Sequence, residues 1–463
     1  MLSRLFAHAI RLALAVAVAA SITACDPCGS CSTKKIRPTS TPTFSPTATP
    51  TATQRATATA TPTASPTSTA APNACLPSSS IGVLVQGTNV TAYVPLGNWS
   101  GGTAAVAVVP IETSGGILVN GPVAAAVPTT VTTANVPNSC SSNSNSGETV
   151  CVANNTDVYL INGTTLTSTL TSGATGTESF SGGTCQNCGV VVDSSTNKAL
   201  VTVGLTTGGP GGYQFLDLGA TPVAFETPIP AGTDVSEDVS IDPARHLVLS
   251  PNEQSIYQIV NTSTSTPAIF NNDLSASNEA GAFDSAAEDC TTGIALATSE
   301  GTGDLFIADL TQANFIAGTP GTWTDTGSQL ENFPEFDSFS AGTNGIAVAP
   351  GTHLGIVTGE FGGDLEGVIQ LPSTSGSGIP AVVDYVAFTM PAEPNSATFD
   401  LGFDPHTVTA YVSPNDHKAY AVLGDSSNAY LGIVDLQGLL SAPRTGHTVN
   451  SPLPTGLVTY IAQ

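Results

Sequence analysis

The chain has 463 residues, with 10 Lys+Arg against 35 Asp+Glu and a formal net charge of −25; that excludes an electrostatic nucleic-acid binder, which needs cations to release counterions from phosphate. Only 10% of residues are charged while 40% are hydrophobic, so acidic disorder is excluded for most of the length. Gly (46), Pro (33) and abundant Thr and Val favour many short strands over helices.

The charge is divided unevenly: residues 1–74 hold six basic residues and one acid, residues 75–463 hold four and 34. Arg4 and Arg11 make a positive segment beside a nine-residue apolar run, Leu12 to Ala20. Nine helical residues span roughly 14 Å, well short of the ~30 Å core of a bilayer. The run, within residues 1–24, reads as an export signal and not as a membrane span. Ile22-Thr-Ala-Cys25 follows: a branched residue, small residues, then cysteine. This resembles the lipobox of bacterial lipoproteins, with Ile22 where Leu is commoner. The resemblance implies cleavage before Cys25 and a diacylglycerol on its thiol. The mature protein is then exported and anchored to a membrane of the bacterial cell envelope through lipidated Cys25, each buried CH₂ contributing about 0.8 kcal/mol. A plain secretory signal with an unrelated cysteine is the alternative.

Residues 25–37 are a short Cys-rich lead. In residues 38–73, Pro, Thr, Ala and Ser fill 32 of 36 positions, leaving almost nothing to bury. Such a tract, here bounded as 38–74, favours extended polyproline II and reaches roughly 110 Å at ~3.1 Å per residue. It reads as a disordered linker that holds residues 75–463 away from the lipid.

Within 75–463 one hairpin recurs: an apolar strand, a turn, then a strand ending on an aliphatic residue and often Asp-Leu. The clearest second strands are Tyr213–Leu218, Ile256–Asn261, Leu305–Leu310 and Leu431–Leu436, with weaker copies at Gly367–Leu371, Val158–Asn162 and Val90–Leu96. Asp217, Asn261, Asp309, Gln370 and Asp435 are spaced 44, 48, 61 and 65 residues apart, an irregular period that suits four-stranded blades with loop insertions. Further strands precede several hairpins, at 190–192, 239–241, 346–348 and 408–410. Seven hairpins predict an all-β, seven-bladed β-propeller, with six blades as a variant and a pair of β-sandwiches as the architectural rival. The first hairpin has no preceding strand of its own, so the C-terminal segment 456–462 is expected to supply the inner strand of blade one and close the ring. The repeats resemble the YVTN/lactonase-like group of β-propellers.

Eight cysteines besides Cys25 make disulfides the default in an exported protein. Cys140 and Cys151 flank a Ser/Asn/Gly loop. Cys185/Cys188 and Cys28/Cys31 are C-x-x-C pairs, which also leave a Cys₄ zinc site as an alternative. Cys75 and Cys290 remain, paired or free.

No G-x-S-x-G, H-E-x-x-H, P-loop or G-x-G-x-x-G motif occurs. His246, His353 and His417 each sit just before a hairpin's first strand, which favours a structural or solvated role over a catalytic one. The acids are better organised: five inter-blade segments (170–189, 226–238, 271–289, 318–343 and 389–404) carry 17 of the domain's 34 acids. Ser236-Glu-Asp-Val239 and Ala287-Glu-Asp-Cys290 resemble each other at the expected start of successive inner strands. Glu237, Asp238, Glu288 and Asp289, with Asn344 at a third such place, are therefore candidate oxygen ligands for Ca²⁺; a solvated acidic rim is the alternative. The expected function is a non-enzymatic module that binds a protein or small-molecule ligand on its acidic loop face. The alternative is a lactonase-like hydrolase with a channel Ca²⁺, so enzymatic activity stays open.

Overall fold

The structure, a computed structural model, describes residues 81–96, 104–118, 129–180, 183–207, 209–235, 238–252, 256–263, 268–273, 283–299, 305–311, 323–325, 343–359, 365–373, 381–387, 408–425, 430–441 and 458–462. The chain divides into two units, 1–67 and 68–463, and every described residue lies in the second. The export signal, Cys25, Cys28, Cys31, the linker, Cys75 and Glu237 fall outside the described residues, as do His406 and His447.

Seven antiparallel sheets follow one another along the chain, each a meander in strand order. Blade one is β1 (Gly82–Gln86), β2 (Asn89–Leu96) and β3 (Ala105–Thr113), with β4 (Gly116–Ile117) and β5 (Thr129–Thr132) sharing the outer edge of β3. Blade two is β6 (Pro137–Asn143), β7 (Glu148–Ala153), β8 (Asp157–Asn162) and β9 (Thr165–Thr171). A small hairpin, β10 (Glu178–Phe180) and β11 (Gly183–Cys185), leads to blade three: β12 (Asn187–Asp193), β13 (Lys198–Gly204) and β14 (Gly211–Asp217), edged by β15 (Ala224–Phe225) and β16 (Ile229–Pro230). Blade four is β17 (Ser240–Asp242), β18 (Leu247–Ser250), β19 (Ile256–Asn261) and β20 (Ala268–Asp273). Blade five is β21 (Phe283–Asp289), β22 (Ile294–Ser299), β23 (Leu305–Asp309) and β24 (Trp323–Asp325). Blade six is β25 (Thr343–Ala349), β26 (Leu354–Gly359), β27 (Leu365–Gln370) and β28 (Ala381–Ala387). Blade seven is β29 (Val408–Val412), β30 (Ala419–Asp425), β31 (Tyr430–Asp435) and β32 (Val458–Ala462), with the short helix α1 (Leu436–Ser441) after β31. The chain is a seven-bladed β-propeller.

The period-2 alternation of a strand explains how each blade packs on both neighbours. On β13, Ala199, Val201 and Val203 face blade two, joining Val150, Val152, Val158 and Leu160. Leu200, one residue out of phase, joins Ile241, Val248 and Val260 of blade four. Both faces of a central blade are thus buried, which is why these strands read as unbroken apolar runs. Each large side chain so buried contributes about 1.5–3 kcal/mol.

The ring closes differently from the sequence-based expectation. The segment Val458–Ala462 pairs with β31, Leu431 opposite Ile461, as the outer strand of blade seven. Blade one uses its own β1 as the inner strand, packed against β6 and β29, because β3 supplies a third strand that the hairpin pattern did not reveal. Closure comes from packing: Tyr411, Tyr420, Val422 and Ile433 of blade seven join Val83, Val85, Val90 and Ala92 of blade one in one buried cluster. A polar clasp reinforces it, with Ser413 Oγ donating to Glu112 Oε1 (2.5 Å) and Asn415 Nδ2 donating to Glu112 Oε1 (2.7 Å) and the Thr113 carbonyl (2.9 Å).

Two disulfides lie in blades two and three. Cys140 and Cys151 are direct cross-strand partners on β6 and β7 and are bonded, with Cα atoms 4.1 Å apart. Cys185 bonds Cys188 at the start of β12. Cys290 is also disulfide-bonded.

Candidate functional site

A meander that starts at the inner strand places all first-to-second-strand turns on one face of the ring and the inter-blade connections on the other. The turn face is closed by a repeated device. In blades two to seven, the residue at or just past the end of the inner strand is Asn143, Asp193, Asp242, Asp289, Ala349 or Ser413; four residues on stand Gly147, Asn197, His246, Gly293, His353 and His417. All six of the latter have positive φ, between 55° and 76°, a region open to Gly and, among other residues, most readily to Asn, Asp and His. One oxygen of the first residue organises its own turn: Asp193 Oδ1 accepts from the Ser195 N–H, Asp242 Oδ1 from Ala244 and Arg245, Asp289 Oδ1 from Thr291. The other side-chain atom reaches the next blade. Asn143 Nδ2 donates to Asn197 Oδ1 (2.5 Å), Asp193 Oδ2 meets His246 Nδ1 (3.2 Å) and Asp289 Oδ2 meets His353 Nδ1. Blade five has Gly293 at this position, and Arg245 fills the space: it bonds Asp242 Oδ2 (2.6 Å) and the Cys290 carbonyl across the interface (3.0 Å). His246 and His353 are thus inter-blade fasteners, and His417 keeps the turn alone.

The inner strands carry a second repeat near their starts. Register shifts interrupt the pairing between 187 and 190, 283 and 286, and 343 and 346. A threonine 13 residues on bridges each bulge: Thr202 Oγ1 accepts from Gly189 N–H (2.6 Å), Thr298 Oγ1 from Ser285 N–H (3.1 Å), and Thr358 Oγ1 donates to the Gly345 carbonyl (3.2 Å).

These registers correct the alignment of the candidate metal ligands. Asp289 corresponds to Asp242, so Glu288 corresponds to Ile241, and Asp238 corresponds to Ser285. Asp238 precedes β17, whereas Glu288 and Asp289 are the last two residues of β21, at its far end. They diverge as neighbours on a strand must: Glu288 Oε2 accepts from Ser240 Oγ of blade four, and Asp289 serves His353 of blade six. Glu288 is buried, and burial pushes its carboxyl well above the usual range, the Asp242 and Asp289 carboxylates adding to the rise against the Ser240 hydroxyl. Asn344 is the second residue of β25. Among the described residues, no group of three or more His, Cys, Asp or Glu side chains is placed to hold a metal ion.

A different pair of acids does meet. The connections into blades three and four lie side by side over the turn between β13 and β14, which reads Gly204-Leu-Thr-Thr-Gly-Gly-Pro-Gly-Gly212. Glycine allows the backbones to touch: the Gly204 carbonyl accepts from the N–H groups of Thr175 and Gly176, and the Gly211 N–H donates to the Thr233 carbonyl. A methyl group on Gly204 would lie 2.6 Å from the Gly176 oxygen, and one on Gly211 would lie 2.7 Å from the Thr233 oxygen. This seam carries Glu178 on one connection and Asp234 on the other. Glu178 is 2% exposed, and apart from the Asp234 carboxyl neither of its oxygens meets a hydrogen-bonding partner. Burial, and then the Asp234 carboxylate, push its pKa up to about 8. Beside it Tyr213 donates to Gln258 Oε1 (2.5 Å), and its own pKa is raised by burial and by Glu178. No motif marks Glu178 in the sequence; only the packing of the glycine seam brings it to Asp234.

Acids and bases are also unevenly divided along the sequence. The described cations of the domain sit in or beside the tight turns, each paired with an acid: Lys198 with Glu226 (2.6 Å), Arg245 with Asp242 (2.6 Å) and Lys418 with Asp435 (2.9 Å). The inter-blade connections, bounded by the observed strands, hold 11 acids in 74 residues, against 23 in the other 315 of residues 75–463. The enrichment is about twofold, below the sequence-based value, because Asp273, Asp284, Glu288, Asp289 and Asp325 belong to strands and Glu226 lies within blade three.

No known protein family and no curated protein matches the chain. Solved structures with a similar fold include one described as the mitotic checkpoint complex, at 10% identity and TM-score 0.47, covering 74% of this chain and 86% of that one. Another is the β-propeller domain of Myceliophteria thermophila Cps50 (Swd1), at 8% identity and TM-score 0.49, covering 77% of this chain and 96% of that one.

Proposed function

We propose that the chain is a lipid-anchored propeller of the cell envelope that binds a cationic partner, a basic protein segment or small molecule, on the face of its inter-blade connections. What supports this reading is the use the tight turns make of their acids, set beside the acid-rich sequence of the inter-blade connections. One face is built of tight turns whose acids are spent on their own backbone and on His246, Arg245 and His353. The other has connections of unequal length, enriched in acid, over a framework whose blades are fastened from behind. An unneutralised field of this kind attracts cationic partners and raises their rate of encounter. Cys25 would carry the lipid, and residues 38–74 would set the distance from the membrane.

The test is salt-dependent binding of a lysine-rich peptide. Replacing Glu331, Glu335 and Asp337 in the connection after β24 by amides should weaken binding at low salt. Replacing Asp217, Glu148 and Asp309, acids on the tight-turn face, by amides should not. Metal-dependent turnover of lactones by the purified protein would contradict a purely binding role.

A further inference from the structure

We propose that Glu178 and Asp234 form a Ca²⁺-binding site in the glycine seam between the connections into blades three and four. The site is separate from the partner-binding reading and from the acids at 237–238 and 288–289.

The buried Glu178 carboxyl has no partner but a second carboxyl, Asp234; an ionised carboxylate so placed is a costly form of polar burial, and natural interiors resolve it by pairing or by metal coordination. The charged side chain that faces it is a second acid, Asp234. The described cations are paired elsewhere: Lys198, Arg245 and Lys418 each hold an acid in or beside a tight turn. A shared proton would satisfy one oxygen of each carboxyl and leave the other Glu178 oxygen bare. A hard divalent cation engages both oxygens of Glu178 and the Asp234 carboxylate at once. Ser250 Oγ, buried beside Tyr213, adds a neutral oxygen to the same neighbourhood.

The choice of cation follows from coordination chemistry. Ca²⁺ takes oxygen ligands only, accepts bidentate carboxylates and tolerates irregular geometry; Mg²⁺ demands a near-ideal octahedron and keeps several waters. A site made of two side chains on backbones pressed together through Gly204, Gly176, Gly209 and Gly211 has the first character. The glycines fix the separation of the two strands of chain, so the carboxyls are held together whether or not the ion is bound.

Calorimetric titration of the chelator-treated, full-length protein with CaCl₂, in parallel with MgCl₂, tests the site. The expected result is one Ca²⁺ bound per chain, with much weaker Mg²⁺ binding, and loss of Ca²⁺ binding in Glu178→Gln and in Asp234→Asn. Both variants keep side-chain volume, and at neutral pH Glu178→Gln should melt close to the calcium-free parent, whose carboxyl is itself mostly protonated below its raised pKa of about 8. A parent that binds no Ca²⁺, or variants that bind it as the parent does, would overturn the proposal. A calcium-silent parent whose melting temperature falls with rising pH, with the dependence lost in Glu178→Gln, would overturn it in favour of a shared proton.

Discussion

His353 of blade six meets Asp289 of blade five through Nδ1 and Oδ2, and it does so from a left-handed turn at φ 59°. The carboxylate is fully buried and the imidazole partly so. Two requirements therefore meet at one position: a residue that tolerates positive φ and a side chain long enough to cross the interface. His417 occupies the same turn of blade seven at φ 61°, but the preceding blade offers Ala349 in place of the carboxylate.

That difference supplies an internal control. His353→Ala and His417→Ala incur the same backbone strain, but only the first leaves a buried carboxylate without its partner. Chemical denaturation should show His353→Ala less stable than His417→Ala by about 1–3 kcal/mol. A coupling energy from the cycle with Asp289→Ala isolates the pair. Equal losses would show that the histidine serves the turn alone.

The seam over blade three depends on missing side chains. Gly204→Ala should destabilise the protein by about 1–3 kcal/mol, the usual cost of overpacking, because backbone atoms have no rotamer with which to yield. Gly163 lies at φ 58° with open space around it, so Gly163→Asn should stay within about 0.5 kcal/mol of the parent. Thermal melts of the two variants check both halves of the contrast.

Glu178 gives a pH dependence of defined sign. Its folded pKa is raised from 4.5 to about 8, so the native state holds a proton that the unfolded chain has released across that window. Stability without Ca²⁺ is therefore full below pH 4.5 and is lost as pH rises to about 8, at no more than about 1.4 kcal/mol per pH unit from this group. Denaturation of chelator-treated protein across the window should show the fall, and Glu178→Gln should remove this part of it. An unchanged slope in the variant would place the titration elsewhere.

The repeats, the blade number and the all-β class were legible because a blade buried on both faces must be written as short apolar runs at a recurring spacing. Strand β21 was not, since Phe283-Asp-Ser-Ala-Ala-Glu-Asp289 is an inner strand with three acids. Its carboxylates are usable there only because Ser240 and His353 from neighbouring blades receive two of them, and no local pattern announces a partner tens of residues away. The resemblance of Glu237-Asp238 to Glu288-Asp289 was a coincidence of composition, out of step with the strands. The last strand showed its type but not its place: an apolar β-branched segment fits an inner or an outer position equally, and the choice fell to β3. Glu178 and Asp234 meet through glycine contacts that leave no periodicity in the sequence.

The proposed anchor makes a separate prediction. Cys25→Ser should abolish incorporation of labelled palmitate and leave an uncleaved precursor, since the thiol is the acceptor of the lipid. Labelling that persists in the variant would move the acylation to another residue or remove the lipobox reading.

The proposed division of labour between the two faces is read most directly by hydrogen-exchange footprinting with a lysine-rich peptide bound to the full-length protein. Protection is predicted in the inter-blade connections, residues 133–136, 172–186, 231–239, 274–282, 326–342 and 388–407, with the turns at His246, His353 and His417 unchanged. Protection confined to those turns, or a bound peptide that leaves the connections exchanging as before, would contradict it.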